Sequence, residues 1–265
     1  MLPLANRETI MRYANRLDLQ RFLDRLLSRS VLTRDEQDAI LDLPCHFAEV
    51  KANRDFVGLR EDIDHASLIV DGLVGRFDQN SDGVRQITAI HIPGDMANLH
   101  SVVQPQATSA LQALSVATIL RVPHAAIREA TARLPALAEA LWRDCMGDAA
   151  ILSQWVVNIG RRDARTRVAH LLCEIATRLD VQADRKSFSF PFAVTQFQLA
   201  DAAGLTSVHV NRVLRSLRQD GLADVGKREV KVLDWDGLVR AGEFNRNYLQ
   251  TRIRPDERLR IIQPA

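Results

Sequence analysis

The chain has 265 residues, a length that favours two domains over one, and 46% of its residues are hydrophobic, which is enough to bury a core. Its three cysteines, Cys45, Cys145 and Cys173, are widely spaced and form no CxxC pair, which disfavours a disulfide framework or a cysteine-based metal site. No apolar run approaches the roughly 20 residues of a membrane span, and the first residues lack the pattern of a signal peptide. We therefore expect a cytoplasmic protein without membrane, metal or cofactor.

The formal net charge of +2 conceals an uneven distribution. Residues 1–160 contain 16 basic and 20 acidic side chains, whereas residues 161–265 contain 19 basic and 13 acidic side chains. A basic surface attracts phosphate, so nucleic acid is a candidate partner for the C-terminal part. Many domains that bind no nucleic acid carry a similar excess, and the charge alone does not decide.

Two helices are predicted at the start of the chain. Apolar residues at helical spacing over 6–29 predict an amphipathic helix in one or two pieces. Thr33 and Glu36 form a capping box, in which each side chain satisfies a free backbone N–H at a helix start. This box predicts a short helix over 34–43, ending before Pro44.

Between residues 47 and 122 the spacing of apolar residues changes from a helical to an alternating pattern. Seven or eight short alternating or β-branched segments are separated by polar turns such as NSDG at 80–83 and PGD at 93–95. This spacing predicts a compact antiparallel roll or barrel, an architecture that often holds a small molecule but does not fix a function.

A long helix is predicted from Pro135 to about Gly160, after a shorter one over 124–133. One of its apolar stripes repeats at spacings of 4, 3, 4, 3, 4 and 3, as in two helices that pack along their length. This seam consists of Ala138, Trp142, Cys145, Ala149, Leu152, Val156 and Ile159. A second stripe can cover the roll, which suggests that the seam faces a second copy of the chain; a helix buried within its own domain is the alternative.

Residues 195–222 predict two helices joined by a tight turn. Thr195 and Gln198 form a capping box for a helix over 196–203, Gly204 supplies a permissive turn, and Thr206 caps the second helix. One face of the second helix is apolar, and the other carries Ser207, His209, Asn211, Arg212, Arg215 and Arg218. A helix pair of this form fits the major groove of DNA, and two ordinary packed helices with a solvated face are the alternative.

The segments around this pair complete a winged arrangement. Asp163 can cap a preceding helix, and a polar connection over 181–192 leads to the pair. After Leu222, two short strands flanking Lys227 and Arg228 predict a β-hairpin with a basic tip. A short helix over 236–244 and a loosely held basic tail over 246–265 follow.

The order of these parts resembles the Crp/Fnr family of bacterial transcription regulators over most of the chain. The residues that carry the resemblance are PGDM at 93–96, RVAHLL at 167–172 and QLADAAGLTSVHVNRVLRSLRQDGL at 198–222. The resemblance implies an α+β fold with four parts: N-terminal helices and an antiparallel β-roll of the cyclic-nucleotide-binding type over 1–133, a dimerisation helix over 134–161, a winged helix-turn-helix over 162–245 and a basic tail over 246–265.

The resemblance implies a sequence-specific transcription regulator that binds a pseudo-palindromic operator as a homodimer, with double-stranded DNA, a second copy and RNA polymerase as partners. Arg212 matches the family's guanine-reading arginine, whereas Val208 stands where the family often has a base-reading glutamate. The predicted DNA-binding residues are Thr206, Ser207, His209, Asn211, Arg212, Arg215, Arg218 and Lys227. No phosphate loop, catalytic triad signature or paired metal ligands indicate an enzyme, so no catalytic residue is predicted.

The sensor part departs from the family. Asn98 and Leu99 replace a Gly-Glu pair, and Thr108, Ser109 and Ala110 replace an Arg-Ser/Thr-Ala segment, so cyclic AMP binding in the usual manner is not expected.

The family's other effector types find little support, because residues 1–44 contain no cysteine for an iron–sulfur cluster and only His46, His65, His91 and His100 could ligate haem locally. The effector is thus unknown or absent. The alternative function is a small-molecule binding signalling protein, with haem one candidate ligand, whose helix pair serves protein contact.

Overall fold

The computed structural model describes residues 4–181, 185–249 and 258–262. Within these residues the chain forms eight α-helices and ten β-strands. The predicted α+β organisation, with an antiparallel roll, a long helix and a C-terminal winged helix-turn-helix, is confirmed.

The N-terminal helices α1 (Leu4–Leu27) and α2 (Arg34–Leu41) pack on one side of the roll. The first is a single continuous helix. Both hydrogen bonds of the predicted Thr33–Glu36 capping box are present at the start of α2. Leu23 and Leu26 of α1 are buried in the same cluster as residues of the roll and of the long helix.

The roll consists of two antiparallel sheets. The first has the order β1-β7-β3, and the second has the order β2-β6-β4-β5. The strands are β1 (His46–Val50), β2 (Asp55–Val57), β3 (His65–Asp71), β4 (Val74–Gln79), β5 (Arg85–His91), β6 (Ala110–Ala113) and β7 (Ala117–Pro123), with a 3₁₀-helix over Leu99–Val102. Aliphatic side chains from both sheets fill the space between them, and Ile69, Val74, Leu111 and Ile119 are almost fully buried there.

Three helices follow the roll: α3 (His124–Arg133), α4 (Pro135–Arg161) and α5 (Ala164–Arg178). Pro135 occupies the first turn of α4, where its missing N–H costs nothing. The carboxylate of Asp163 caps α5 by accepting a hydrogen bond from the Thr166 N–H at 2.9 Å, as predicted.

The C-terminal part contains β8 (Phe188–Pro191), α6 (Gln196–Ala203), α7 (Ser207–Gln219), β9 (Ala223–Val225), β10 (Glu229–Val232), α8 (Trp235–Ala241) and a 3₁₀-helix over Arg246–Leu249. The prediction of a polar connection was wrong for β8, which pairs with β10 to complete a sheet of order β8-β10-β9. Phe188 and Phe190 alternate with polar residues, so Phe190 can be buried opposite Val230 while Ser189 faces outward.

The prediction of a loosely held tail was also wrong for its described residues. Both guanidinium Nη atoms of Arg260 donate to the Glu36 carboxylate at 2.7 and 2.8 Å. The Ile261 N–H donates to the Glu139 carboxylate at 3.0 Å, and Leu259 forms a β-bridge with Ser30. Residues 258–262, called the C-terminal segment below, therefore lie against the N-terminal helices and the start of α4.

The C-terminal part packs directly on the roll of the same chain. Gln86 of β5 donates to the Asp201 carbonyl of α6 at 2.7 Å, and Gln198 of α6 donates to the Leu114 carbonyl at 3.2 Å. One continuous apolar cluster joins Ile87 of the roll to Leu199 of α6. The helix pair is thus held in a defined position against the roll through α6, which leaves α7 on the far side.

Candidate nucleic-acid interface

The turn between α6 and α7 is fixed by three local signals. The Thr195 hydroxyl accepts from the Gln198 N–H at 3.2 Å, and the Gln198 side chain accepts from the Thr195 N–H at 2.8 Å. Gly204 ends α6 with φ of 62°, a left-handed conformation that favours glycine. The Thr206 hydroxyl then caps α7 by accepting from the His209 N–H at 3.2 Å.

Helix α7 has one buried face and one exposed polar face. Its buried side chains are Val210, Val213, Leu214 and Leu217, which pack in the cluster shared with α5 and α6. On the opposite side Thr206, His209, Arg212, Arg215 and Arg218 are exposed, and Ser207 and Asn211 are half-buried at its edges. The structure thus brings seven of the eight predicted DNA-binding residues onto one accessible surface.

Polar contacts orient part of this surface. Arg215 donates to the Asn211 side-chain carbonyl at 3.0 Å, and the Asn211 side-chain amide donates to Oε1 of Gln196, at the start of α6, at 3.3 Å. Gln196 was not among the predicted site residues, because its proximity to Asn211 depends on the angle between α6 and α7. Within the described part of the chain, Arg212 forms no side-chain hydrogen bond or ion pair, so its guanidinium is available to a ligand.

The eighth residue, Lys227, lies at the tip of the β9–β10 hairpin. Gly226, Lys227 and Arg228 are all exposed there, and the Gly226 N–H donates to the Glu229 carbonyl at 2.8 Å to close the turn. A hairpin beside a recognition helix can follow the phosphate backbone while the helix enters the groove. Arg218 lies 3.6 Å from the Asp224 carboxylate in β9, so a phosphate would have to compete with that carboxylate for Arg218.

The two apolar stripes of α4 lie on different sides of the helix. Leu137, Leu141, Ile151 and Trp155 of the second stripe are buried against the roll and the C-terminal part. In the seam, Trp142 is 77% exposed and Val156 is 65% exposed. Ala138, Ala149 and Leu152 are also exposed, whereas Cys145 and Ile159 are half-buried. In the isolated chain the seam is therefore a long apolar surface on the outside of the helix.

Comparisons with known proteins agree with this architecture. Residues 166–241 match the model of the Crp-like helix-turn-helix domain. The transcriptional activator protein FnrL of Cereibacter sphaeroides is 26% identical over 80% of this chain and 87% of its own length. The anaerobic regulatory protein of Haemophilus influenzae is 21% identical over 63% of this chain and 65% of its own length.

A solved structure supports the same assignment over both parts of the chain. FixK2 from Bradyrhizobium japonicum is 26% identical, with a TM-score of 0.68 over 75% of this chain and 98% of its own. Residues 166–241 thus form a Crp-like helix-turn-helix domain, and the chain as a whole is similar to Crp/Fnr regulators. With this helix-turn-helix the chain is a DNA-binding transcription regulator.

The residues that stand where cyclic-nucleotide-binding relatives hold their ligand make contacts within the roll of this chain. The Asn98 side-chain carbonyl accepts from the Ser67 N–H at 2.7 Å, and its amide donates to the His65 carbonyl at 3.0 Å. Leu99 is buried, and the Ser109 hydroxyl donates to the Asp78 carboxylate at 2.9 Å. These contacts hold strands and turns of the roll together and supply no arginine for a nucleotide phosphate.

The histidines considered for haem lie in different surroundings. His46 is exposed at the start of β1, and His65 hydrogen-bonds to the Asp64 carboxylate at 2.9 Å. His91 is buried, and burial lowers its pKa. Within residues 4–181, 185–249 and 258–262, no three His, Cys, Asp or Glu side chains group so as to hold a metal ion.

The three cysteines are free thiols in the structure. Burial raises the pKa of Cys45 to about 11 and that of Cys145 to about 12, and it also raises the pKa of Cys173. Protonated thiols are weak nucleophiles and poor metal ligands, which fits a packing role.

The helices of the described part of the chain include none that is long and apolar enough to cross a bilayer.

Proposed function

We propose that this Crp/Fnr regulator acts as a homodimer that binds a pseudo-palindromic DNA site through α7 of each chain, with RNA polymerase as its further partner in the cytoplasm. The observation that carries the proposal is the exposed face of α7, where an unpaired Arg212 is flanked by polar and basic side chains. The exposed seam of α4 supports the homodimer, since a contiguous apolar stripe at heptad spacing suits a second copy.

Each predicted DNA-binding residue takes a role that its chemistry supports. Arg212 can donate two hydrogen bonds to the O6 and N7 atoms of guanine. Ser207, His209 and Asn211 lie on the same helix and would complete the base-reading surface, whereas Thr206, Arg215, Arg218 and Lys227 would contact phosphates. Two such helices in a two-fold dimer would bind half-sites about one DNA turn, roughly 34 Å, apart.

The experiment that tests the proposal is selection of binding sites from random duplexes, followed by titration of the selected site and of a random duplex. Arg212→Ala should weaken binding to the selected site by about 1–3 kcal/mol and relax the choice of base at one position in each half-site. Arg240→Ala removes the same charge from the exposed side of α8, outside α7 and the β9–β10 hairpin, and serves as the matched control.

Two outcomes would contradict the proposal. Equal losses on the selected and the random duplex would remove the base-reading role of Arg212. Failure to enrich any duplex that forms a salt-sensitive complex would favour the alternative in which the helix pair serves protein contact.

A further inference from the structure

Val208 occupies the centre of the exposed face of α7. The buried residues Val210, Val213, Leu214 and Leu217 define one side of the helix, and at roughly 100° per residue Val208 lies almost directly opposite them. It is 71% exposed, although its neighbours on the same face are arginines and polar residues. Neither the packing of α7 nor the contact of α6 with the roll explains an apolar residue at this position.

Val208 lies about one helical turn before Arg212 on α7. The two residues are four apart, so they lie on the same face about 6 Å apart along the helix axis. DNA rises about 3.4 Å per base pair, which places Val208 one or two base pairs from the base that Arg212 contacts. The cap at Thr206 fixes the first turn of α7, and the β-branched side chain of Val208 has little rotational freedom to lose.

The major groove offers one apolar group on the edges of its bases, the 5-methyl group of thymine. A valine at the centre of a groove-facing surface can exclude water from that methyl group, but it cannot accept a hydrogen bond from the amino group of cytosine. A glutamate at the same position would have the opposite preference, because it accepts from the cytosine amino group and places a charge beside a methyl group.

We propose that Val208 selects thymine in each half-site by contacting its 5-methyl group, one or two base pairs from the guanine read by Arg212. The inference rests on the proposed function, since it requires that α7 enter the major groove. A glutamate at position 208 would favour cytosine, whereas Val208 favours the methyl-bearing edge of thymine.

Replacement of thymine by deoxyuridine tests the proposal, because it removes the methyl group and keeps the base pairing. Each thymine of the selected site is replaced in turn in both half-sites, and the full-length protein is titrated against each duplex. Loss of one buried methyl group from each half-site corresponds to about fourfold in affinity per half-site and on the order of tenfold for the whole site. We expect this loss at one thymine position, adjacent to or one removed from the Arg212-dependent guanine.

Three variants give the test its specificity. Val208→Ala should bind thymine and deoxyuridine sites equally at that position, since it no longer reaches the methyl group. Val208→Glu should shift the selected base at that position from thymine to cytosine. Val84→Ala shortens a valine of similar exposure, 64%, at the tip of the β4–β5 hairpin and should leave the deoxyuridine effect unchanged.

The outcomes separate this inference from the proposed function. Deoxyuridine effects that are the same in the wild-type protein and in Val208→Ala at every thymine would overturn it, while Arg212-dependent recognition would stand. A selected site without a fixed thymine within two base pairs of that guanine would also overturn it. Failure to select any site would overturn the proposed function, and this inference with it.

Discussion

Asp95 of the PGDM motif is a buried carboxylate that joins three parts of the chain. It lies 2.6 Å from the Arg25 guanidinium of α1, contacts the Arg178 guanidinium of α5 and accepts from the Ile92 N–H at 2.9 Å. Burial alone would raise the pKa of Asp95, but Arg178 and Arg25 hold it well below its ordinary value. The motif residue therefore connects the roll both to the N-terminal helix and to the helix that precedes the DNA-reading pair.

Replacing this carboxylate should destabilise the protein strongly. Asp95→Asn removes the carboxylate that Arg178 and Arg25 share, although Arg25 keeps Asp144 and Asp148 and Arg178 keeps Glu174. Loss of one partner from a buried ion pair costs about 3–5 kcal/mol, and we expect the lower end of this range. Urea denaturation should report this loss in the free energy of unfolding.

The control for Asp95 is Asp24→Asn in α1, where the exposed carboxylate accepts one hydrogen bond from Gln20 at 2.7 Å. A surface change of this kind shifts stability by no more than about 0.5 kcal/mol. A similar small effect for Asp95→Asn would mean that the three-part ion network contributes little to the fold.

Helix α4 presents two surfaces with different partners. Trp155, on its buried side, donates through its indole N–H to the Glu174 carboxylate of α5 at 3.0 Å, so α4 is anchored within its own chain. On another side of the helix, Trp142, Leu152 and Val156 of the seam are exposed, whereas its Cys145 and Ile159 are half-buried within the chain. A helix with both surfaces can join two copies without losing its contacts to the roll.

A charge in the seam should separate the proposed dimer. Val156→Asp would bury a carboxylate between two copies of α4, and an unpaired buried charge strongly disfavours association. Sedimentation velocity should then show a monomer where the wild-type protein is a dimer, and DNA affinity should fall at the same protein concentration.

Val84→Asp makes the same substitution at a valine of nearly equal exposure, 64% against 65%, outside α4. It should remain dimeric. If Val156→Asp and Val84→Asp had the same mass in solution, the seam would not be the interface.

Sequence reasoning located the elements that rest on local signals. The capping box at Thr195, the glycine at 204 and the hydroxyl cap at Thr206 act over three or four residues, and they fix α6 and the start of α7 whatever the rest of the chain does. The two stripes of α4 likewise follow from spacing alone, because a single helix must present them on different sides.

The parts that sequence reasoning missed depend on distant partners. Strand β8 is short and is a strand only because β10 supplies its hydrogen bonds. The contact of Gln86 with α6 joins residues 115 positions apart, and that of Arg260 with Glu36 joins residues 224 positions apart. No periodicity within either partner encodes such pairs, so the position of the helix pair on the roll and the path of the tail could not be read from the sequence.

On the scale of the whole molecule, three contacts among the described residues help to hold the C-terminal part against the roll and the N-terminal helices. The first is the packing of α6 on β5, the second is the ion network around Asp95, and the third is the C-terminal segment, which returns to α1, α2 and α4. Arg260 in this segment binds Glu36, whose pKa is lowered by that hydrogen bond and which also belongs to the capping box of α2.

Removal of the Arg260 side chain should weaken the contact between the C-terminal segment and α2. Arg260→Ala leaves the buried Glu36 carboxylate with fewer donors, and a lost hydrogen bond to a charged group costs about 1.5–3 kcal/mol. The midpoint of thermal unfolding should fall, and limited proteolysis near the C-terminus should become faster.

The side chain of Arg34 in α2 is 91% exposed, and its ion pair with Asp38 is long, at 3.9 Å. Arg34→Ala should therefore change neither the midpoint of thermal unfolding nor the rate of proteolysis. Equal behaviour of the two variants would show that the C-terminal segment contacts the N-terminal helices without stabilising the protein.

The return of the C-terminal segment also determines what a probe attached to the end of the chain would report. Ile261 and Ile262 bind Glu139 near the start of α4, whereas Gly204 in the DNA-reading turn lies beside Ile159 near its end. Twenty helical residues separate these two points, a distance of about 30 Å. A fluorophore attached at position 262 would therefore lie beside the start of α4, away from α7, and its signal should follow release of the C-terminal segment independently of DNA binding.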